Sequence, residues 1–133
     1  MIEKVNNINL VFSFVKKYFP HYTYDCNPYE RMFCYKKNNK IIGFISYSII
    51  YERAELNYIV TDSKYRRKGI AQKLLDFVLA DLKNNMVENF SLEVNVNNKA
   101  AISFYLKNGF EMETIRSNYY EDGDAYLMVL EVK

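Results

Sequence analysis

Residues 64–75, KYRRKGIAQKLL, set five basic side chains, Lys64, Arg66, Arg67, Lys68 and Lys73, around a lone glycine, Gly69, and then continue as an apolar-periodic run. Where a chain passes from a strand into a helix, such a stretch offers successive backbone N–H groups, a glycine that admits close approach, and the positive end of the helix dipole. Those are the ingredients of a phosphate-binding turn, and the cations add charge to it. A solvated basic face is the ordinary alternative for a charge run of this kind. The single glycine does not match the dinucleotide fingerprint or the Walker loop, which need further glycines or a Gly-Lys-Ser/Thr ending. By itself the loop therefore points to a phosphate-bearing ligand and no further.

The elements that must position this loop follow from periodicity and turn residues. NINLVFSFVKKYF places Ile8, Val11, Phe12, Val15 and Phe19 at helical spacing, and Pro20 closes that helix. RMFCYKK and KIIGFISYSIIYE read as two strands of a hairpin whose turn, Lys37 to Lys40, contains two asparagines. AELNYIVTD is a third strand. From Arg67 to Lys83 the residues Ile70, Leu74, Phe77, Val78 and Leu82 form one apolar helical stripe. FSLEVNV alternates Leu92, Val94 and Val96 with Glu93, Asn95 and Asn97, the pattern of a half-buried strand. NKAAISFYLKN is a second crossover helix ended by Gly109, and GFEMETIRSNYY and AYLMVLEVK are two last strands around the turn EDGD. The order predicts a mixed α/β sheet of six or seven strands flanked by about four helices.

Length and composition set the frame. The 133 residues, half of them hydrophobic, fit one compact domain over 1–133, with no repeat and no composition break. The longest near-apolar run, residues 41–50, has about half the length of a bilayer span, and the N-terminus carries no basic-then-apolar export signal, so a cytoplasmic protein without membrane contact is expected. Cys26 and Cys34, with one histidine in the chain, make neither a disulfide framework nor a zinc ligand set, and no metal is expected. A net charge of +2 does not mark a nucleic-acid binder. KYRRKGIAQK holds one aromatic, Tyr65, where a single-strand binder would interleave several.

Arg66, Gly69 and Ala71 fit the Q/R-x-x-G-x-G/A signature of the GNAT N-acetyltransferase superfamily, and from YIVTDSKYRRKGIAQKLL onward the order of elements resembles that superfamily. Within it, LEVNVNNKAAISFYLKNGF followed by TIRSNYY is similar to the bacterial ribosomal-protein-alanine N-acetyltransferases, over residues 41–130. The resemblance implies a sheet whose two central parallel strands splay, with acetyl-CoA in the gap and its pyrophosphate on the loop before the helix. It implies cofactor contacts at Ile59, Val60 and Thr61, at Arg66, Arg67, Lys68, Gly69, Ile70, Ala71 and Gln72, and at Asn98. It further implies Glu93 as general base and Tyr105 as general acid. Glu55, with Glu52 beside it, is the competing base, because related acetyltransferases place a carboxylate near the start of the same strand. Tyr119 and Tyr120 fall where the family lines the amine side of the cleft, and His21 is read as structural or exposed.

Acetyl transfer to an amine needs a neutral nucleophile, a path for its second proton, a donor to the developing oxyanion and a proton for the thiolate. An N-terminal amine, of pKa about 8, loses its proton more readily than a lysine at about 10.4, so a carboxylate acting through water suffices. The oxyanion donor expected from a splayed strand is the backbone N–H of Val60 or Thr61. The acceptor implied by the resemblance is a protein N-terminus. A small amine, a polyamine or an antibiotic would leave the cofactor half unchanged. Asn95 stands where the ribosomal enzymes usually carry arginine, and no motif before residue 41 carries the resemblance. A CoA-binding sensor without chemistry and a nucleic-acid module using the basic stripe are the readings of another class. The last strand fits either the interior of a sheet or a dimer edge.

Overall fold

A computed structural model describes residues 1–132. Seven strands form one sheet in the order β1-β2-β3-β4-β5-β7-β6. They are β1 (Ile2–Lys4), β2 (Glu30–Lys37), β3 (Lys40–Ile50), β4 (Arg53–Thr61), β5 (Asn89–Asn95), β6 (Glu111–Tyr120) and β7 (Gly123–Glu131). The α-helices are α1 (Phe12–Tyr18), α2 (Ile70–Asn84) and α3 (Lys99–Lys107), one fewer than expected, with single 3-10 turns at Ile8–Leu10 and Ser63–Tyr65. All strand pairs are antiparallel except β4 with β5. The final strand, β7, lies inside the sheet between β5 and β6, and β6 is the edge.

Local chemistry explains most of the elements. Asn38 and Asn39 take φ of 52° and 63°, the left-handed pair that closes a two-residue hairpin between β2 and β3. The expected first helix is broken near its start: the Asn7 side chain accepts from Asn9 N at 3.0 Å and winds Ile8–Leu10 into a 3-10 turn before α1 begins. β1 is three residues long and has no turn signal of its own; it exists because β2 offers it a ladder, Ile2 opposite Tyr35 through Lys4 opposite Phe33.

Two apolar layers sandwich the sheet. α2 covers one face, with Leu74, Leu75, Val78 and Leu82 fully buried against Ile45, Tyr47 and Phe90. α1 covers the other through Val11 and Val15, packed with Tyr22, Met32 and Phe44. β3 runs between both layers, so Ile42 through Ser48 are all buried. Arg31 on β2 grips Asp81 on α2 through bonds of 3.0 and 2.8 Å, and the buried Tyr47 hydroxyl donates to the same carboxylate at 2.6 Å. Among the described residues no helix is long and apolar enough to cross a membrane.

The central parallel pair is short. β4 and β5 pair only at Arg53–Asn89, Ala54–Phe90 and Glu55–Ser91, after which the strands diverge. The cause lies on the far side of β4: its register with β3 slips between Ser46–Tyr58 and Tyr47–Leu56, leaving Asn57 as an extra residue. Such a bulge bends and twists its strand. It also resets which side chains face which layer. Ala54, Leu56 and Ile59 join the α2 layer, and Tyr58 and Val60 join the α1 layer.

β3 approaches α2 closely at Gly43, where an added Cβ would stand 2.9 Å from Ile70 Cγ2 and 3.1 Å from Leu74 Cδ1. Gly43→Val is therefore expected to destabilise the protein by about 1–3 kcal/mol through overpacking. A urea-unfolding midpoint equal to that of the unaltered protein would refute this.

Candidate active site

Where β4 and β5 separate, a cleft of about 1080 Å³ opens through the sheet, lined on one side by β4 from Glu55 to Thr61 and on the other by Leu92, Glu93, Val94 and Asn95. α3 adds Ala101, Phe104 and Tyr105, and Tyr119 and Tyr120 come from β6. Backbone donors are left over along the splay. Asp62 N donates to Ile42 O at 2.8 Å, so by antiparallel alternation the amide of Val60 also faces β3. Those of Ile59 and Thr61 face the cleft instead. Of the two amides expected to stabilise an oxyanion, the structure leaves that of Thr61 available. The Thr61 Oγ1 is buried there without a hydrogen-bond partner.

At one end of the cleft stands the basic loop. The expected helix start at Arg67 is corrected to Ile70, because Arg67 and Gly69 take φ of 64° and 79° and the chain enters α2 from left-handed backbone. No side chain caps α2, so its first-turn amides remain open. An added Cβ on Gly69 would meet nothing within 4 Å, so the glycine answers a demand of φ and leaves open space before the amides. An uncapped helix start beside left-handed turn residues is a site for an anion such as a diphosphate.

The side chains of the loop divide. Arg66 lines the cleft, donates from Nε to Thr61 O at 3.4 Å and lies over the Tyr18 ring at 5.9 Å. Ala71 also lines it. Arg67 is exposed. Lys68 and Ile70 face a second hollow of about 260 Å³ between the loop and the β2–β3 hairpin. Gln72 is drawn to α3, exchanging bonds of 2.7 and 3.1 Å with the Asn108 amide, so its backbone N–H is the group left for a ligand. Asn98 caps α3, accepting from Ala101 N at 3.2 Å, and borders the cleft.

Glu93 and Tyr105 reach the same cleft from opposite faces of β5. Leu92 and Val94 belong to the α2 layer, so Glu93 points to the other face. Tyr105 comes from α3 on the α2 side, packed edge-on against Phe104 and Phe110. The Glu93 side chain is 14% exposed, with Arg116 Nε 2.9 Å from Oε2. That contact is an ion pair without hydrogen-bond alignment, so Oε2 remains open to a proton donor. Burial pushes the Glu93 carboxyl above the usual glutamate range, Arg116 opposes the shift, and the Glu55 charge adds to it. Burial raises the Tyr105 phenol well above its ordinary value, with Tyr120 adding to the effect. Tyr120, which donates to Glu93 O at 3.3 Å, is pushed up to about 12 by burial, then by Tyr119 and Glu93.

Arg116 escaped sequence reasoning, since it meets Glu93 only through the β5-β7-β6 ladder. So did Glu30, Ser46 and Asn57, which gather on the α1 face: Ser46 Oγ donates to Glu30 Oε2 at 2.5 Å, and Asn57 Nδ2 reaches Ser48 Oγ at 2.9 Å and Glu30 Oε2 at 3.5 Å. The pairing of β2, β3 and β4 at Glu30–Ser48–Glu55 was the only signal for them, and it depends on register. His21 is exposed, as is Cys26; Cys34 is buried, and neither cysteine is paired.

Comparison with known proteins agrees with this geometry. A model of the acetyltransferase (GNAT) family matches residues 4–110. The chain is 34% identical over 116 residues to the ribosomal-protein-bS18-alanine N-acetyltransferase of Escherichia coli K12, covering 83% of this chain and 78% of that protein. It is 46% identical over 67 residues to the N-alpha-acetyltransferase of Saccharolobus solfataricus, covering 49% of this chain and 40% of that one. The crystal structure of the Escherichia coli ribosomal-protein-S18-alanine N-acetyltransferase superposes with a TM-score of 0.86 at 26% identity, over 100% of this chain and 94% of the other. A splayed parallel pair, an open helix start on a basic loop and a family match across most of the sequence converge: the chain belongs to the acetyltransferase (GNAT) family and is an acyltransferase that uses acetyl-CoA.

Proposed function

We propose that this protein acetylates the N-terminal α-amine of a polypeptide by direct attack on the bound thioester. The observation that carries the reading is the meeting of Glu93 and Tyr105 in one cleft, beneath the free Thr61 amide and beside the uncapped start of α2. The relatives named above, a ribosomal-protein-alanine N-acetyltransferase and an N-alpha-acetyltransferase, support the acceptor class.

The residues fit acetyl-CoA. The amides from Arg67 to Gln72 and the Arg66 guanidinium would hold its pyrophosphate, and Ile59, Thr61 and Asn98 border the path for the rest of the molecule. When bound, it supplies the acetyl group as an activated thioester. Thr61 N–H, which faces the cleft, would donate to the carbonyl oxygen as it gains charge. Glu93 takes the proton of the incoming ammonium, directly or through one water, and its raised affinity for protons suits a base working on an amine of pKa about 8. Tyr105 keeps its proton: with the phenol raised by burial, its Oη–H acts as a hydrogen-bond donor to a departing sulfur, and full transfer requires that the sulfur be equally desolvated.

Acetylation of peptides with a free N-terminal alanine, serine or methionine, read by mass spectrometry, is expected to occur at the α-amine. Acetylation restricted to lysine side chains or to polyamines would overturn the proposal. Glu93→Gln is expected to lower kcat about 10²–10⁴-fold while acetyl-CoA affinity holds. Full turnover in that variant would transfer the role to Glu55. Since Arg116 holds the Glu93 pKa down against burial, Arg116→Gln is expected to move the acidic limb of the kcat/KM profile to higher pH. An unmoved limb would exclude Glu93 as the group that titrates.

A further inference from the structure

The basic loop has a second side. Away from the cleft it borders the hollow of about 260 Å³ shared with the β2–β3 hairpin, where Lys36, Lys37, Lys68 and Lys73 surround the rings of Tyr35 and Tyr65. No residue lines both spaces: Arg66 and Ala71 turn to the cleft, Lys68 and Lys73 to the hollow. Their charges differ as well. The cleft carries four carboxylates, Asp25, Glu30, Glu55 and Glu93, against Arg66, whereas no carboxylate is found among the described residues lining the hollow.

The aromatic rings collect the cations. Lys37, Lys40 and Lys68 place Nζ 5.8, 5.9 and 5.8 Å from the Tyr65 centroid, and Lys73 stands 5.7 Å from that of Tyr35. The ammoniums around Tyr65 are thus within about 12 Å of one another, close to a Debye length, and they repel. Lys36 is answered by Glu3 at 2.9 Å. Among the described residues the other four lysines, all exposed, make no ion pair. The ring faces offset part of the repulsion, and the countercharge is left to a ligand.

The kind of ligand follows from size and from the mixture of groups. The hollow falls below the usual range of an enclosed small-molecule site, roughly 300–1,000 Å³, and suits an open chain laid across it. Lysine is a compact charge on a flexible stem, so these ammoniums can swing from the rings to phosphate oxygens and free the ring faces. Tyr35 and Tyr65 are half-buried and packed against the α2 layer, which makes them firm platforms. KYRRKGIAQK by itself holds one aromatic; folding adds Tyr35 and the hairpin lysines beside it. Cations interleaved with aromatic platforms are the arrangement that holds a nucleic-acid strand through its phosphates and bases. We infer that the hollow between the basic loop and the β2–β3 hairpin binds single-stranded nucleic acid, with Lys37, Lys40, Lys68 and Lys73 on phosphates and Tyr35 and Tyr65 under bases. The strand docks the enzyme and takes no part in acetyl transfer, so it and acetyl-CoA bind together on opposite sides of one loop.

The test uses the full chain and a fluorescein-labelled strand of about 12 nucleotides, as RNA and as DNA, read by anisotropy. Binding by either supports the inference, and the tighter one identifies the sugar. With four lysines on phosphates, the logarithm of the association constant should fall against the logarithm of salt with a slope of about −2.8, roughly a 50-fold loss between 50 and 200 mM. Lys37→Gln, Lys40→Gln and Lys73→Gln combined should reduce the slope to about −0.7. The same neutralisation of the exposed Lys83, Lys99 and Lys107 should leave it unchanged. An abasic strand, which keeps the charge and lacks the stacking, should bind about tenfold more weakly or worse. Absence of binding at 50 mM salt, displacement of the strand by acetyl-CoA, or equal slopes for the two triple variants would overturn the inference and leave the acetyltransferase assignment standing. So would an abasic strand that binds as well as the intact one. A glutamate-rich peptide of equal charge that binds as tightly would also overturn it, giving this face to an acidic protein instead.

Discussion

Asn57 is one residue too many for the ladder between β3 and β4, and that surplus has effects across the whole site. The bulge turns β4 away from β5 just beyond Glu55, so two parallel strands that would otherwise close a continuous sheet part after three residue pairs. β5 stays with β7 through Asn95–Ala125, and β4 stays with β3 through Thr61–Gly43. A gap through a sheet is costly unless its unpaired backbone groups find other partners. Here those groups border the opening: the amides of Ile59 and Thr61 face the cleft between the strands.

The same displacement explains why the two groups proposed to react come from both faces. A strand sends alternate side chains to opposite sides, and in an unbroken sheet Glu93 and Tyr105 would be separated by it. Beside the splay that separation disappears. The carboxylate from the α1 face and the phenol from α3 border one cavity, each surrounded enough for burial to raise its pKa. The electrostatics are divided along the length of the cleft, with an open helix start and Arg66 at one end and carboxylates at the other. Under the function proposed above, an anionic donor and a protonated amine would be sorted to opposite ends before any chemistry occurs.

What could be read from the sequence was local in origin. The Asn38–Asn39 turn, the alternation of β5 and the glycine of the basic loop each depend on neighbours within a few residues and appear in the fold where expected, as does the apolar stripe of α2 except that Leu75 is buried and the expected Phe77 is exposed. The misses share a different cause. β1 depends on an offered edge, the later start of α2 on the left-handed Arg67, and the Arg116–Glu93 pair on a ladder that crosses β7. The bulge left a trace, because Leu56 and Ile59 face one layer at a spacing of three, which breaks the period of a strand. Read without the partner strand, that break is indistinguishable from ordinary irregularity. Gln72 illustrates the limit for a site residue: its place in the loop was legible, but the engagement of its side chain with Asn108, 36 positions away, was not.

That amide pair bears on the mechanics of the molecule. Arg31 and Tyr47 fasten α2 to the first hairpin through Asp81, while α3 and β5 belong to the second half of the chain. Gln72 and Asn108 bind each other reciprocally, joining the opening turn of α2 to the end of α3. Beyond the core they share under α2, the two halves are thus hydrogen-bonded at both extremities of the gap, by the short parallel ladder at one and by a pair of neutral amides at the other. The outer tie is made of uncharged groups, so salt screening, which weakens exposed ion pairs, leaves this fastening of the gap untouched.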